Sequence, residues 1–252
     1  VTFRSNGLRL SGWYMPAERE KRVPVVIVAH GYGADKGNFL PVGEMFRSMG
    51  FNVLLFDFRA HGSSSGRVCG FGYLEALDVK AAFDWVRENT NANRVFAAGY
   101  SMGAGAVLRA AAEFDIFDRV IVDSPVYRAA TVAKATLLRG FGPLRPLFWH
   151  MARGWAWGIT GVDPRDLDTG RFIERIPEKP VLIVHGKNDR LIPFTQSQRL
   201  HRHSGSDNHE LLIVDGAGHL QAMNREVYVR KVRELLRVEK NIKKKKKKER
   251  DH

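Results

Sequence analysis

A chain of 252 residues is long enough to bury roughly 70–75% of its unfolded surface around one core, without help from disulfides or metals. Its 44% hydrophobic and 27% charged residues are those of an ordinary globular domain, which excludes wholesale disorder, and no run approaches the roughly 18 apolar residues of a membrane span. The formal charge of +13 invites a nucleic-acid reading, but residues 240–252 hold seven lysines and Arg250 against Glu249 and Asp251, a net +6 that leaves +7 for the rest, and the body carries no aromatic-interleaved basic motif.

The run Lys243 to Lys248 repels itself, so residues 240–252 are expected to be a solvated, disordered tail. Attraction of that tail to an anionic surface, about 1 kcal/mol per lysine close to a membrane, is the sharper alternative. The single cysteine, Cys69, permits no internal disulfide and fits a reducing compartment. The start at Val1 lacks a charged-then-apolar leader pattern. These features favour a cytoplasmic protein, with a tether or export segment ahead of Val1 as the alternative.

In chain order, two extended runs around Phe3 and over Leu8 to Tyr14 are joined by Ser5-Asn6-Gly7, and Asn-Gly is a strong hairpin signal. A charged turn, Glu18 to Arg22, leads into Val23 to Ala29, an unbroken apolar run that suits a strand buried on both faces. A glycine-rich loop, His30-Gly31-Tyr32-Gly33, follows. Val42, Met45, Phe46 and Met49 then recur at helical spacing up to Gly50. Asn52 to Phe58 reads as a strand, Arg59 to Gly72 as a glycine- and serine-rich loop, and Leu74 to Asn89 as a helix. Arg94 to Ser101 is a strand, followed by a helix of alanine and glycine to about Phe114. Arg119 to Val122, Val181 to Val184 and Leu211 to Val214 repeat the strand type, and Tyr228, Val232, Leu235 and Leu236 share one face of a last helix. Strands alternating with helices predict an α/β fold: a mostly parallel central sheet covered by helices on both faces. One stretch, about 127–178, interrupts the alternation with Phe141, Phe148, Trp149, Trp155 and Trp157 among glycines and prolines. A structureless loop of that length is unusual, so it is expected to be a helical cap inserted into a domain spanning 1–239. Trp155 and Trp157 point to different faces of a helix, and they are the candidates for lining a substrate pocket.

The chemistry centres on Gly99-Tyr100-Ser101-Met102-Gly103. Gly-x-Ser-x-Gly between a buried strand and a helix allows a sharp turn that exposes the hydroxyl at a helix N-terminus. A serine hydroxyl needs a base, itself oriented by a third group. His219 in Asp215-Gly216-Ala217-Gly218-His219 and Asp189 in His185-Gly186-Lys187-Asn188-Asp189 both follow strand ends, and the order serine, acid, histidine is the one that accompanies this elbow. Asp123, after another strand, is the competing acid. Asp57, Arg59 and His61 read as a buried network shaping a loop, and His30 as a structural histidine. His201, His203 and His209 mimic a metal cluster but read as solvated loop histidines, and Cys69 as inert. Gly31 to Gly37 does not match dinucleotide spacing, and no phosphate loop occurs.

These motifs, together with His30-Gly31 and Asp57-Phe58-Arg59-Ala60-His61-Gly62, resemble the α/β-hydrolase superfamily over about Thr2 to Val238. The likeness is to its serine-aminopeptidase-like and acylglycerol-lipase-like branch, and Ala60 stands where that pattern usually has glycine. The resemblance implies the α/β-hydrolase fold, Ser101 as nucleophile, His219 as base, Asp189 as orienting acid, and the N–H groups of Tyr32 and Met102 as an oxyanion hole. A serine carboxylesterase needing no cofactor or metal is expected, acting on small-to-medium apolar or aromatic esters, with activity rising as His219 deprotonates around pH 6 to 8. A peptidase, a monoacylglycerol lipase or a thioesterase would share the machinery, and a non-catalytic binding protein on this fold is the rival from another class.

Overall fold

The structure is a computed structural model that describes residues 1–17, 23–130, 142 and 145–236. Residues 18–22, much of the cap before 145 and the lysine-rich tail lie outside the described residues.

Alternate residues of strand β3 (Val25–Ala29) enter two different cores. Val25, Ile27 and Ala29 join one cluster with Leu54, Val107 and Ile183, while Val26 and Val28 join a second with Phe46, Phe96 and Tyr228. Burial on both faces is why the segment reads as a continuous apolar run rather than an alternating one. β3 lies inside an eight-stranded sheet in the order β1-β2-β4-β3-β5-β6-β7-β8. The other strands are β1 (Thr2–Ser5), β2 (Leu8–Met15), β4 (Asn52–Phe56), β5 (Val95–Tyr100), β6 (Arg119–Asp123), β7 (Val181–Gly186) and β8 (His209–Val214). β2 runs antiparallel to β1 and β4, and all remaining pairs are parallel. The hairpin forms as expected: Asn6 and Gly7 take φ of 46° and 79°, the pair of positive values a two-residue turn needs.

Helices α1 (Leu40–Ser48) and α7 (Glu226–Leu236) cover one face through Val42, Phe46, Tyr228 and Val232. Helices α2 (Glu75–Asn89) and α3 (Met102–Phe114) cover the other through Val79, Ala104 and Leu108. Ala104, Ala106, Ala110 and Ala111 of α3 are fully buried, because small side chains let that helix lie close to the strands.

The cap segment between β6 and β7 contains α4 (Arg145–Thr160). Its two ends meet where Thr169 N donates to Tyr127 O at 3.1 Å and Arg128 Nε donates to Asp168 Oδ2 at 3.0 Å. From α5 (Thr169–Ile173) onward the chain is back in the body, with Phe172, Ile173 and Ile176 in the core. No helix among the described residues is long and apolar enough to cross a membrane.

The histidine cluster departs from expectation. His201 and His203 close helix α6 (Thr195–Ser204), which stops at Gly205 with φ 58°, and His209 is buried at the start of β8. His209 Nε2 bonds Ile176 O at 3.2 Å, and burial holds its pKa below the ordinary value. The solvated loop is therefore shorter than the Ser/Gly/Asp composition implies, because Leu200 buries one side of α6 and carries the helix on to Ser204.

Candidate active site

The chain leaves β3 toward β4 and leaves β5 toward β6, so the loops after these neighbouring strands diverge and open a crevice at their carboxyl ends. Gly31 and Ser101 sit at those two ends. A Cβ placed on Gly31 would stand 3.4 Å from the Ser101 Cβ, so the loop carrying Tyr32 lies directly against the serine. Ser101 itself has φ 53° and ψ −113°, a backbone conformation that a non-glycine residue adopts only under constraint. Its N–H donates to Asp123 O at 2.8 Å, and Ala104 N donates to its carbonyl at 3.0 Å. The glycines either side have a steric cause: a Cβ on Gly103 would overlap the carbonyls of Ala29 and His30, and one on Gly99 would overlap the backbone of Gly103.

The three residues expected to converge do so. His219 Nε2 stands 3.2 Å from Ser101 Oγ, and His219 Nδ1 stands 2.7 Å from Asp189 Oδ2. Asp189 Oδ1 accepts from the N–H groups of Leu191 at 2.9 Å and Ile192 at 2.8 Å, and Oδ2 also lies 3.2 Å from His185 Nε2. Burial alone would raise the Asp189 pKa, but the hydrogen bonds from His185, His219 and Ile192 N outweigh it and hold the carboxyl well below the usual range. An anionic Asp189 fixes the proton on His219 Nδ1 and leaves Nε2 free to accept from the serine. Met102 N is the first N–H of α3 and has no partner within the helix. Tyr32 and Met102 line the same cavity as Ser101.

Ser101 opens into a cavity of about 430 Å³, walled by Tyr32, Phe71, Met102, Val126, Trp149 and Leu167 among others. Among the described residues its lining contains no carboxylate, and Arg153 is the one charged side chain in it.

The family model described as serine aminopeptidase, S33, matches residues 20–156, more than half of the chain. The chain belongs to this family. Among curated relatives, the uncharacterized protein YqkD of Bacillus subtilis is 31% identical over 222 residues, covering 84% of this chain and 70% of that one. The lysophosphatidylserine lipase ABHD12 of Xenopus tropicalis is 26% identical over 190 residues, covering 71% of this chain and 46% of its own length. Among solved structures, the Pyrococcus furiosus esterase Pf2001 superposes with a TM-score of 0.75 at 28% identity, covering 94% of this chain and 90% of that one. Est1E of Butyrivibrio proteoclasticus, solved with ferulic acid, superposes with a TM-score of 0.76 at 21% identity, covering 94% and 97%. This S33-family chain is accordingly a serine hydrolase with the α/β-hydrolase fold.

Other expected residues of this family member fall differently. Asp123 does not reach His219: its Oδ1 accepts from Ser124 Oγ at 2.9 Å, its Oδ2 has no hydrogen-bond partner, and burial pushes its pKa up to about 6. His30 is structural, with Nδ1 bonded to Gly31 O at 2.7 Å and Nε2 accepting from Phe58 N at 3.0 Å. Asp57, Arg59 and His61 are buried, but the two charged residues pair outside the trio. Asp57 takes Lys36 Nζ at 2.5 Å, Arg59 forks onto Asp78 at 2.7 and 3.0 Å, and His61 Nδ1 bonds Arg59 O at 2.8 Å. Ala60 adopts φ 59°, which is why glycine is usual there.

Trp155 and Trp157 are a correction. They are 73% and 63% exposed and absent from the cavity lining, where α4 instead presents Trp149, Ala152, Arg153 and Ala156. Those four share one helical face, and the two tryptophans flank it on either side. The spacing was available in the sequence, whereas the direction in which α4 docks was not. Sequence reasoning also missed His185 as a partner of Asp189, although both belong to one motif four positions apart.

Proposed function

We propose that this serine hydrolase cleaves carboxylic esters with a small-to-medium apolar acyl or aromatic group, through an acyl-enzyme on Ser101. The observation that carries the reading is the hydrogen-bonded line Asp189, His219, Ser101 ending at the mouth of an apolar cavity. Ser101 Oγ attacks the ester carbonyl as its proton passes to His219 Nε2, and Asp189 stabilises the resulting imidazolium. The N–H groups of Tyr32 and Met102 receive the negative charge on the carbonyl oxygen. Collapse expels the alcohol, which takes the proton from His219, and a water activated by the same histidine then releases the acid. A cavity of about 430 Å³ lies at the small end of ligand cavities, which run roughly 300–1,000 Å³. The likeness to an esterase at 28% identity supports ester chemistry. A free α-ammonium group would find Arg153 and no carboxylate among the described lining residues, which argues against an aminoacyl substrate in spite of the family's description.

A panel of p-nitrophenyl esters from acetate to palmitate, run beside aminoacyl anilides, tests this. Hydrolysis is expected to peak at short-to-medium esters, with kcat/KM falling about 10⁴-fold or more in Ser101→Ala, and a fluorophosphonate is expected to label the wild type alone. Preference for the anilides, or labelling that survives the substitution, would overturn the reading.

A further inference from the structure

The exposed apolar surface of this molecule is concentrated at one place. Of the eleven exposed large hydrophobics among the described residues, Leu147, Met151, Trp155, Trp157 and Ile159 belong to α4. Tyr32 and Phe71, two more of them, line the cavity, and Leu191 is on the loop whose N–H groups hold Asp189. Leu147, Met151, Trp155 and Ile159 recur at every fourth position of α4, so they form one ridge along the helix. Leu147 and Met151 stand on the side away from the cavity-lining Trp149, Ala152, Arg153 and Ala156, and Trp155 flanks that lining on the same side as they do. One helix thus roofs the apolar cavity with one face and offers an apolar ridge to the outside with the other. A contiguous exposed patch of this kind marks an interaction surface.

Charge selects the occupant. α4 carries Arg145 and Arg153 and no carboxylate. Around it four arginines meet three acids: Arg153 and Arg165 both pair with Asp163, Asp166 also acts on Arg165, and Arg128 and Arg171 both pair with Asp168. The margin of the ridge therefore keeps a small net positive charge, within a chain of formal charge +13 that includes the run Lys243 to Lys248. A second copy docking through the same face about a two-fold axis would bring these guanidinium groups against their own kind. A layer of anionic headgroups over hydrocarbon complements both the ridge and its margin, and tryptophan and leucine bordered by arginine is the composition of surfaces that lie in a membrane interface.

We propose that the outer face of α4, together with the adjoining loop tips, docks on an anionic phospholipid bilayer and sets the mouth of the cavity at its surface. This concerns where the chain sits and does not depend on the ester reading. The test is flotation of the full chain with vesicles of phosphatidylcholine alone and of phosphatidylcholine mixed with phosphatidylserine. Two variants are compared with the wild type: Met151→Ser with Trp155→Ser, and glutamine at each of Lys243 to Lys248. Hydrolysis of soluble p-nitrophenyl acetate is expected to be unchanged in both, because neither Met151 nor Trp155 lines the cavity and the lysine run takes no part in the ester chemistry proposed above, and it also reports that the variants are folded. The wild type is expected to float with the phosphatidylserine vesicles and weakly or not at all with neutral ones. The serine variant is expected to lose about tenfold or more of that binding, and the glutamine variant only part of it. Wild-type chain that fails to bind the anionic vesicles would overturn the proposal. So would a serine variant that binds like the wild type while the glutamine variant loses everything, since the tail alone would then be responsible. A dimer seen by sedimentation equilibrium and lost in the serine variant, without vesicle binding, would assign the ridge to a second copy. Absence of wild-type hydrolysis would sink the ester reading while leaving the flotation result to stand by itself.

Discussion

Asp123 ends β6 and Asp189 lies in the loop after β7, both at the carboxyl ends of strands in the sheet that carries Ser101, and their surroundings drive them in opposite directions. Asp189 accepts hydrogen bonds from two backbone N–H groups and from His219 Nδ1, has His185 Nε2 at 3.2 Å from Oδ2, and stays anionic. Asp123 accepts one from Ser124, is otherwise desolvated, and is pushed up to about 6. Only an acid that is charged at neutral pH and touches Nδ1 can fix the His219 tautomer. Asp189→Asn is therefore expected to lower kcat/KM on a soluble ester by about 10⁴-fold, and Asp123→Asn by no more than about threefold. Steady-state rates at pH 7.5 decide between them, and the opposite ranking would reassign the acid. Ser101, with its positive φ, shows a residue-scale cost accepted at a reactive position because neighbouring hydrogen bonds over-determine it.

At the scale of elements, the strand-to-helix elbow depends on how closely α3 approaches β3 and β5. Gly103 leaves no room for a methyl group beneath the carbonyls of Ala29 and His30, and backbone carbonyls of a central strand cannot yield as a flexible side chain would. Gly103→Ala is expected to destabilise the fold by roughly 3 kcal/mol, read as a lower urea midpoint at unchanged slope, with activity falling as the elbow shifts. A loss below about 1 kcal/mol would show that the helix can move away at little cost. The loop after β4 is organised differently, by charge. Lys36 with Asp57 and Arg59 with Asp78 are buried pairs: the first ties the end of β4 to the loop that carries Tyr32, and the second ties Arg59 to α2. Breaking either pair from one side would leave a buried charge without its partner.

Across the whole molecule, buried histidines link folding to acid. Desolvation lowers the His30 pKa to about 4, against about 6.5 in an unfolded chain. The unfolded state therefore binds the extra proton first as pH falls. The stabilisation from a neutral buried His30 is complete above about pH 6.5 and is lost as pH drops to 4, a change of about 3 kcal/mol. Asp123 acts in the opposite sense: its raised pKa makes the folded state bind the extra proton between about 6 and 4, so the net slope of the wild type is shallower than His30 alone would give. His30→Gln, which takes up no proton, is expected to be less stable at pH 7 but to lose less stability than the wild type between pH 6.5 and 4. Urea unfolding at several pH values measures this, and parallel curves for the two proteins would contradict it.

The parts of the fold written in consecutive residues were legible from the sequence alone. Val23 to Ala29 announces a strand buried on both faces because period-two geometry sends neighbours to opposite cores, Asn6-Gly7 announces its turn through φ, and Gly99 and Gly103 announce the elbow through sterics. The convergence of Ser101, Asp189 and His219 followed from the same logic, since each ends or follows a parallel strand and parallel strands end on one side. What the sequence left open was every question of partnership across space. That Lys36 rather than His61 meets Asp57, that His185 shares Asp189 with His219, that His209 is buried, and that Trp149 rather than Trp155 or Trp157 faces the cavity all depend on strand order and on the angle at which a helix docks. Helical spacing assigns residues to common faces, but only the packed neighbours determine which face is inward, and that information is spread over the whole chain.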